Sequence, residues 1–260
     1  MIVAPEEIKS CCATAYASPA ARFLLGDHLH PGGAALTSRL IEALAVGPGQ
    51  LVADVASGPG TSAVQLARET GCDVVGIDFS PESTETGRRA AVAAGLSARL
   101  RFVAGDAEAL PLADASVDGV LCECALCTFP NKAAAAREFA RVLRPGGRLA
   151  LSDMTADQAR LPLELTSLAA WVACIADARP LVEIAALLGE AGLIVEAIES
   201  HDETLRELLD RVAARLRVAR MTGSAVIGDA VDHGEQIAAA ARAALEEGAL
   251  GYGVVIARRP

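Results

Sequence analysis

The sequence predicts a doubly wound α/β sheet flanked by helices, and three observations carry that expectation. Short β-type runs alternate with helical stretches across residues 51–152, the arrangement that right-handed βαβ crossovers require. A glycine-rich turn, Ala56-Ser57-Gly58-Pro59-Gly60-Thr61, joins the first such run to the helical stretch after it. The chain has 260 residues, 52% hydrophobic and 22% charged, enough for a sizeable core and unlike the composition of a disordered segment.

Residues 5–46 place apolar side chains at helical spacing, interrupted at Pro19, Gly26 and the turn His30-Pro31-Gly32-Gly33, so two or three helices are expected there. Gly47-Pro48-Gly49 ends them. Strands are expected at residues 51–56, 73–77, 99–104, 117–122 and 148–152, with helices at 61–69, 81–94 and 132–143 between them. Ser80 reads as the N-cap of the helix at 81–94, and Pro81 as its first residue, where a missing N–H costs nothing. Beyond Asp153 the pattern gives helices at 161–176 and 180–191, a strand at 193–200, helices at about 203–220 and 234–247, and a last strand at 251–258. The expected organisation is a helical cover over residues 1–46, a core over 47–155, and a C-terminal part over 156–260. That last part supplies lid helices and completes the same sheet.

Composition narrows the function. A net charge of −10 argues against a protein that grips phosphate backbones, so no nucleic-acid partner is expected. No stretch reaches the ~20 apolar residues of a membrane helix, and the opening MIVAPEEIKS carries two glutamates and no apolar core. Neither a membrane nor a signal peptide is expected. Seven cysteines, an odd number without framework spacing, read as reduced thiols in the cytoplasm.

The strongest local signal is the run from Val52 to Thr61. It lies between a strand and a helix, where glycines admit a ligand to the backbone and helix-end N–H groups face it. Asp78 ends the next strand, twenty residues after Gly58, the place where a carboxylate meets ribose hydroxyls. On these residues alone a nicotinamide dinucleotide competes as ligand. The series resembles class I S-adenosylmethionine (SAM) methyltransferases. Asp54-x-Ala56-x-Gly58-x-Gly60 is similar to their first motif, with alanine at its first glycine. Gly76-Ile77-Asp78-Phe79-Ser80 is similar to the second motif and Gly105-Asp106-Ala107 to the third. Phe129-Pro130, Arg141 to Gly147 and Ser152-Asp153 complete the set. The resemblance implies a Rossmann-like, seven-stranded sheet with its last strand antiparallel, and SAM as cofactor. It places the methionyl part against Gly58 and Gly60, the ribose on Asp78, and the adenine against Asp106 and Ala107. Asp54, Ala56, Thr61, Phe79 and Glu123 are further candidates for cofactor contact.

The acceptor is read from Cys11, Cys12, Cys72, Cys122, Cys124, Cys127 and Cys174. Cys72 and Cys122 read as buried packing residues. Cys124 lies just beyond the carboxyl end of a central parallel strand, where open sheets bind ligands. The run from Val120 to Lys132 resembles the segment after the fourth strand in arsenite SAM methyltransferases, S-N-C-V-x-N-L-x-x-x-K, with Cys124 on the arsenic-binding cysteine when Pro130 and Lys132 are aligned. Trp171 to Ala178 resembles that family's second arsenic segment, G-E-C-x-x-G-A-L, with Cys174 on the cysteine.

Trivalent arsenic prefers thiolate sulfur to oxygen or nitrogen, and thiolates holding it as a pyramid leave its lone pair free for the SAM methyl carbon. The resemblance therefore implies a metalloid acceptor on Cys124 and Cys174, both accessible and somewhat acidified, and a thiol reductant as partner. Where the family carries a relay cysteine in the helix after the first motif this chain has Ala63, and Cys11 or Cys12 is expected to supply the third thiol. Cys127 is a further ligand or a spare. Cys-x-Cys-x-x-Cys at 122–127 lacks a clear fourth ligand for zinc. Tyr16 either approaches the sulfonium or caps a helix face, and the four histidines read as structural or exposed. Two other readings stay open: a methyltransferase of a small organic acceptor, similar to the quinone and sterol enzymes, with structural cysteines; and a SAM-sensing or dinucleotide-binding protein.

Overall fold

The computed structural model describes residues 4–166, 174–222 and 225–260, with no side-chain description for 222 and 225–230. Three helices, α1 (Pro5–Ala17), α2 (Pro19–Leu25) and α3 (Gly33–Leu44), precede the sheet. Then follow β1 (Leu51–Val55), α4 (Thr61–Thr70), β2 (Asp73–Asp78), α5 (Pro81–Ala93), β3 (Leu100–Ala104), β4 (Val117–Glu123), α6 (Lys132–Val142) and β5 (Leu143–Ala156). The chain closes with α7 (Leu181–Glu190), β6 (Ile194–Ser200), α8 (Asp202–Thr222), α9 (Ala225–Glu246) and β7 (Leu250–Arg258).

Among the described residues the sheet has seven strands in the order β3-β2-β1-β4-β5-β7-β6. The first five run parallel, and β7 inserts antiparallel between β5 and β6. The strand order reverses between β1 and β4, which opens a crevice at their carboxyl ends. β1 to β4 are near-continuous apolar runs because helices cover both faces. Leu40, Leu44 and Leu66 of α3 and α4 fill one core, and Phe139 and Leu188 of α6 and α7 fill the other.

Local chemistry explains the ends. Ser80 accepts the Ser83 N–H at the start of α5, and Asn131 accepts the Ala134 N–H at the start of α6. Two expectations change. β5 begins five residues before the expected 148, because Leu143 already pairs with Val117, and it runs on to Ala156 against a nine-residue β7. The helix expected over 161–176 is not continuous. A short 3₁₀ turn spans Leu163–Thr166, residues 167–173 (including Trp171, Val172 and Ala173 of the expected second segment) lie outside the described residues, and Cys174 sits in a turn at φ +63°. A left-handed residue cannot continue an α-helix; this one turns Cys174 toward α1.

Candidate active site

Two cavities meet at the carboxyl ends of β1 and β4. The first is a cleft of about 140 Å³ over the glycine loop. Of the expected cofactor residues, Asp54, Ala56, Gly58, Thr61, Asp78, Phe79, Asp106, Ala107 and Glu123 line it, and so do Cys12 and Cys124. Gly60 does not line it; this glycine sits at φ +86° behind the loop, where a Cβ would come 2.4 Å from the Phe102 ring, so packing rather than cofactor contact demands glycine there. Ala56 adopts φ +58°, which a glycine takes at no steric cost.

The cleft is rich in carboxylates. Asp78 accepts the Gly58 N–H and the Ser80 N–H, both at 2.8 Å, so it braces the loop and still has lone pairs for hydroxyls. Asp54 is buried with one oxygen unpartnered, and burial, together with Glu123 and Asp78, pushes its carboxyl well up. Glu123 takes the Thr37 hydroxyl at 2.9 Å and lies 3.4 Å from His30 Nε2, leaving its other oxygen buried and unpartnered. Unpaired buried carboxylate oxygens are costly, and a ligand bearing ammonium, sulfonium and ribose hydroxyls would supply the missing partners. Asp106 is engaged by Lys9 at 2.7 Å, which ties α1 across the cleft. These residues therefore fit SAM.

Four features of the cleft had escaped the sequence reading. His28 and His30, expected to be structural or exposed, line it, as do Lys9 and Leu29. Thr61 donates to the Asp27 carbonyl at 2.9 Å, which packs the 27–30 loop onto the glycine loop. The turn-forming residues around His30 were the only available signal.

The second cavity, about 340 Å³, adjoins the cleft through Tyr16, Leu29 and Cys124. Its walls are apolar, with Leu205, Leu208, Leu209 and Leu216 of α8 and Ile237 of α9 facing Met154 and Ile175. Cys174 and Cys124 lie on its rim.

There the thiols converge. Cys124, Cys127 and Cys174 come together although fifty residues separate Cys124 from Cys174: the Cys174 thiol donates to the Cys124 carbonyl at 3.4 Å, and each thiol bears on the acidity of the other two. The Tyr16 hydroxyl lies 2.9 Å from Cys174 Sγ, and Cys12 on α1 is close enough to feel the charge of Cys174. Hydrogen bonds from Cys124 and Cys127, and then from Tyr16, hold Cys174 well below the usual thiol range despite its burial. The expectation that both acceptor thiols are accessible and acidified is met in full by neither: Cys174 is acidified but buried, and Cys124 is half-buried and not acidified. For Cys124, the bond from Cys127 is outweighed by the bond to Cys174 and by burial, and its thiol is pushed well up. Burial raises Cys12 to about 12. Cys127, left open as ligand or spare, is buried beside Cys124 and Cys174, whereas Cys11 is exposed; neither Cys127 nor Cys11 lines either cavity. Cys72 and Cys122 are fully buried in the two cores, as expected.

Backbone strain marks the same place. Of six described non-glycine residues with positive φ, four line these cavities: Leu29, Ala56, Cys124 (φ +51°) and Cys174. Such conformations cost about 1–3 kcal/mol each and concentrate at functional sites. Among the described residues, no group of three or more His, Cys, Asp or Glu side chains is arranged to hold a metal ion. The thiols hydrogen-bond rather than form a ready chelate.

Comparison with known proteins agrees with this geometry. The model of a methyltransferase domain family matches residues 53–151. The chain is 36% identical over 182 residues to the methyltransferase GfsG of Streptomyces halstedii, covering 68% of this chain and 65% of that protein. It is 34% identical over 179 residues to an arsenite methyltransferase of Halobacterium salinarum, covering 66% of this chain and 44% of that one. It is 33% identical over 227 residues to the 27-O-demethylrifamycin SV methyltransferase of Amycolatopsis mediterranei, covering 86% and 83%. The chain thus spans less than two thirds of the length of the first two. Among solved structures, the [4+2]-cyclase SpnF superposes with a TM-score of 0.82 at 23% identity, covering 99% and 97% of the two chains. A putative sarcosine dimethylglycine methyltransferase of Galdieria sulphuraria gives 0.83 at 20%, covering 96% and 98%. The motif loops, the strand order and the long match to the Amycolatopsis relative converge: the chain belongs to the class I SAM-dependent methyltransferases.

Proposed function

We propose that this protein transfers a methyl group from SAM to trivalent arsenic held by Cys124, Cys127 and Cys174. The observation that supports this reading is the meeting of thiols from separate segments beside the cofactor cleft, with one of them acidified. Cys127 and Cys174 are buried in the same core as Cys72, but around Cys174 a second segment and a tyrosine hydroxyl close in, with the Cys124 carbonyl at 3.4 Å and Tyr16 at 2.9 Å.

When bound, SAM supplies an electrophilic methyl on a sulfonium. The chain's residues do the rest. Cys174 attacks first because its thiolate forms most readily. Cys124 and Cys127 follow, so that arsenite exchanges three hydroxyls for three sulfurs and releases three waters. The arsenic lone pair, aimed at the cleft, takes the methyl without any general base, so positioning supplies most of the catalysis. Two of the thiolates then leave as a disulfide and return arsenic to the trivalent state, and an external thiol reduces that disulfide. Overall, arsenite, SAM and two thiols give methylarsenite, S-adenosylhomocysteine, a disulfide, water and a proton. Cys12 is placed to relay the reduction; exposed Cys11 meets the external thiol. All seven cysteines are free, which suits a reducing compartment such as the cytoplasm.

A second reading is favoured by the apolar cavity of about 340 Å³ and by the relative named for 27-O-demethylrifamycin SV. In it the cavity holds a small organic acceptor and the thiols only line the wall. Turnover with arsenite and glutathione, followed by arsenic speciation, separates the two. Methylated arsenic is expected. SAM consumption only with an organic acceptor would favour the second reading.

A further inference from the structure

The two cysteine-bearing segments are joined by a largely shielded cation. Lys132, the first residue of α6, turns its ammonium back under the loop that follows β4 and donates to the carbonyls of Cys127 at 3.2 Å and Phe129 at 3.1 Å. The same ammonium reaches the Asp177 carboxylate at 2.5 Å, three residues after Cys174. Lys132 is 10% exposed and Asp177 17%, so the pair is shielded, and removal of either partner strands the other. Arg179 braces the far oxygen of Asp177 at 2.9 Å, and Gln158 holds the Ala178 carbonyl at 2.7 Å from the β5 side.

We infer that Lys132 is a positioning residue: it fastens the Cys174 segment to the Cys124–Cys127 loop and so keeps the three thiols in register for the acceptor. This rests on the reading that the thiols bind the acceptor. Both cysteines occupy left-handed backbone conformations, which persist only when the surroundings enforce them, and Lys132 ties down both stretches at once. Its charge also contributes to the acidity of Cys174, after the hydrogen bonds from Cys124, Cys127 and Tyr16. The other ionisable groups bearing on this thiol cluster are Cys12, Asp153, Tyr252 of β7 and, through Lys132, Asp177. Lys132 is a tether with a consequence for reactivity, and a neutral spacer of equal length would supply only part of it.

The test is the pH profile of Cys174 alkylation by a small reagent, with the site identified by mass spectrometry, in the wild type, Lys132→Met, Lys132→Arg and Asp177→Asn. Lys132→Met should slow Cys174 alkylation at neutral pH at least about tenfold and move its profile to higher pH. Lys132→Arg, which keeps the charge, should recover most of the rate, and affinity for S-adenosylhomocysteine should change less than about twofold. Asp177→Asn should speed amide exchange over residues 174–178 and leave the loop before α6 protected. An unmoved Cys174 profile in folded Lys132→Met, or unchanged exchange in Asp177→Asn, would overturn the inference. If the profile shifts as expected but the wild type neither binds nor methylates arsenite, the inference about Lys132 as a tether holds and the arsenic reading fails.

Discussion

The cofactor cleft and the thiol chamber beside it are built on opposite principles. The floor of the cleft is made from one stretch of the parallel sheet, namely β1, its glycine loop, the end of β2 and the residues after β3 and β4, and α1 with the 27–30 loop closes it from above. Its recognition groups are backbone N–H groups and short carboxylates whose positions follow from strand ends. The chamber is assembled from α1, the loop after β4, the turn at Cys174 and helices α8 and α9, which meet only in the folded chain. Its groups are long side chains, strained backbone and apolar walls. A fold that fixes the donor locally and the acceptor non-locally can keep one cofactor while its acceptor changes, in line with the varied names of its relatives.

The sharpest way to break this comparison is to remove the thiols. Cys124→Ser and Cys174→Ser should each abolish arsenic methylation and leave SAM affinity within about twofold, because Asp78 and the glycine loop it braces bond to neither thiol. Cys72→Ser, buried in the core away from both cavities, should leave turnover per folded molecule unchanged. Radiolabelled methyl transfer and calorimetry check both. Full activity in the Cys124 and Cys174 variants would reduce the chamber to a wall.

The converse change acts on the cleft. Asp78→Ala removes the acceptor that braces the glycine loop and, if Asp78 takes the ribose as the resemblance implies, hydrogen bonds worth about 1.5–3 kcal/mol each. SAM affinity should fall at least about tenfold, while arsenite binding to the thiols, followed by thiol titration, stays intact. Unchanged SAM affinity in a folded variant would contradict the assignment.

A smaller effect joins the two regions. Asp153 on β5 lies beside the thiols, accepting the N–H groups of Cys127 and Met154, and burial, with Cys174, pushes its carboxyl up to about 7. Between the ordinary aspartate value and pH 7 the unfolded chain ionises this group while the folded chain keeps its proton. Stability should therefore decline as pH rises through that window and level off above it. Asp153→Asn should remove that part of the decline, on the order of a few kcal/mol, as read from urea midpoints at pH 4 and 7.5. An identical slope in the variant would show that the carboxyl is not held protonated.

Legibility in the sequence follows the same division. The sheet and its crossovers could be read because apolar runs and helix caps such as Ser80 act over a few residues. The cofactor loop could be read because its chemistry sits in ten consecutive positions. The thiol cluster was half legible: Cys124 and Cys174 stood out by resemblance, but nothing local showed that Cys127 would join them while Cys11 pointed outward. The roles of His30 and Lys132 were not legible because decisive partners, Glu123 for His30 and Asp177 for Lys132, lie far away in the sequence. The helix expected over 161–176 is not formed as one element, because apolar periodicity cannot register the left-handed backbone at Cys174 or the 3₁₀ turn at Leu163–Thr166.

The central claim is that sulfur from these segments, and not an apolar wall, holds the acceptor. X-ray absorption at the arsenic edge tests it most directly, on the protein loaded with arsenite and S-adenosylhomocysteine. The account predicts an all-sulfur first coordination sphere in the wild type that loses one sulfur in Cys127→Ser, with Cys11→Ser unchanged. Arsenic that keeps its oxygen ligands in the wild type would contradict it.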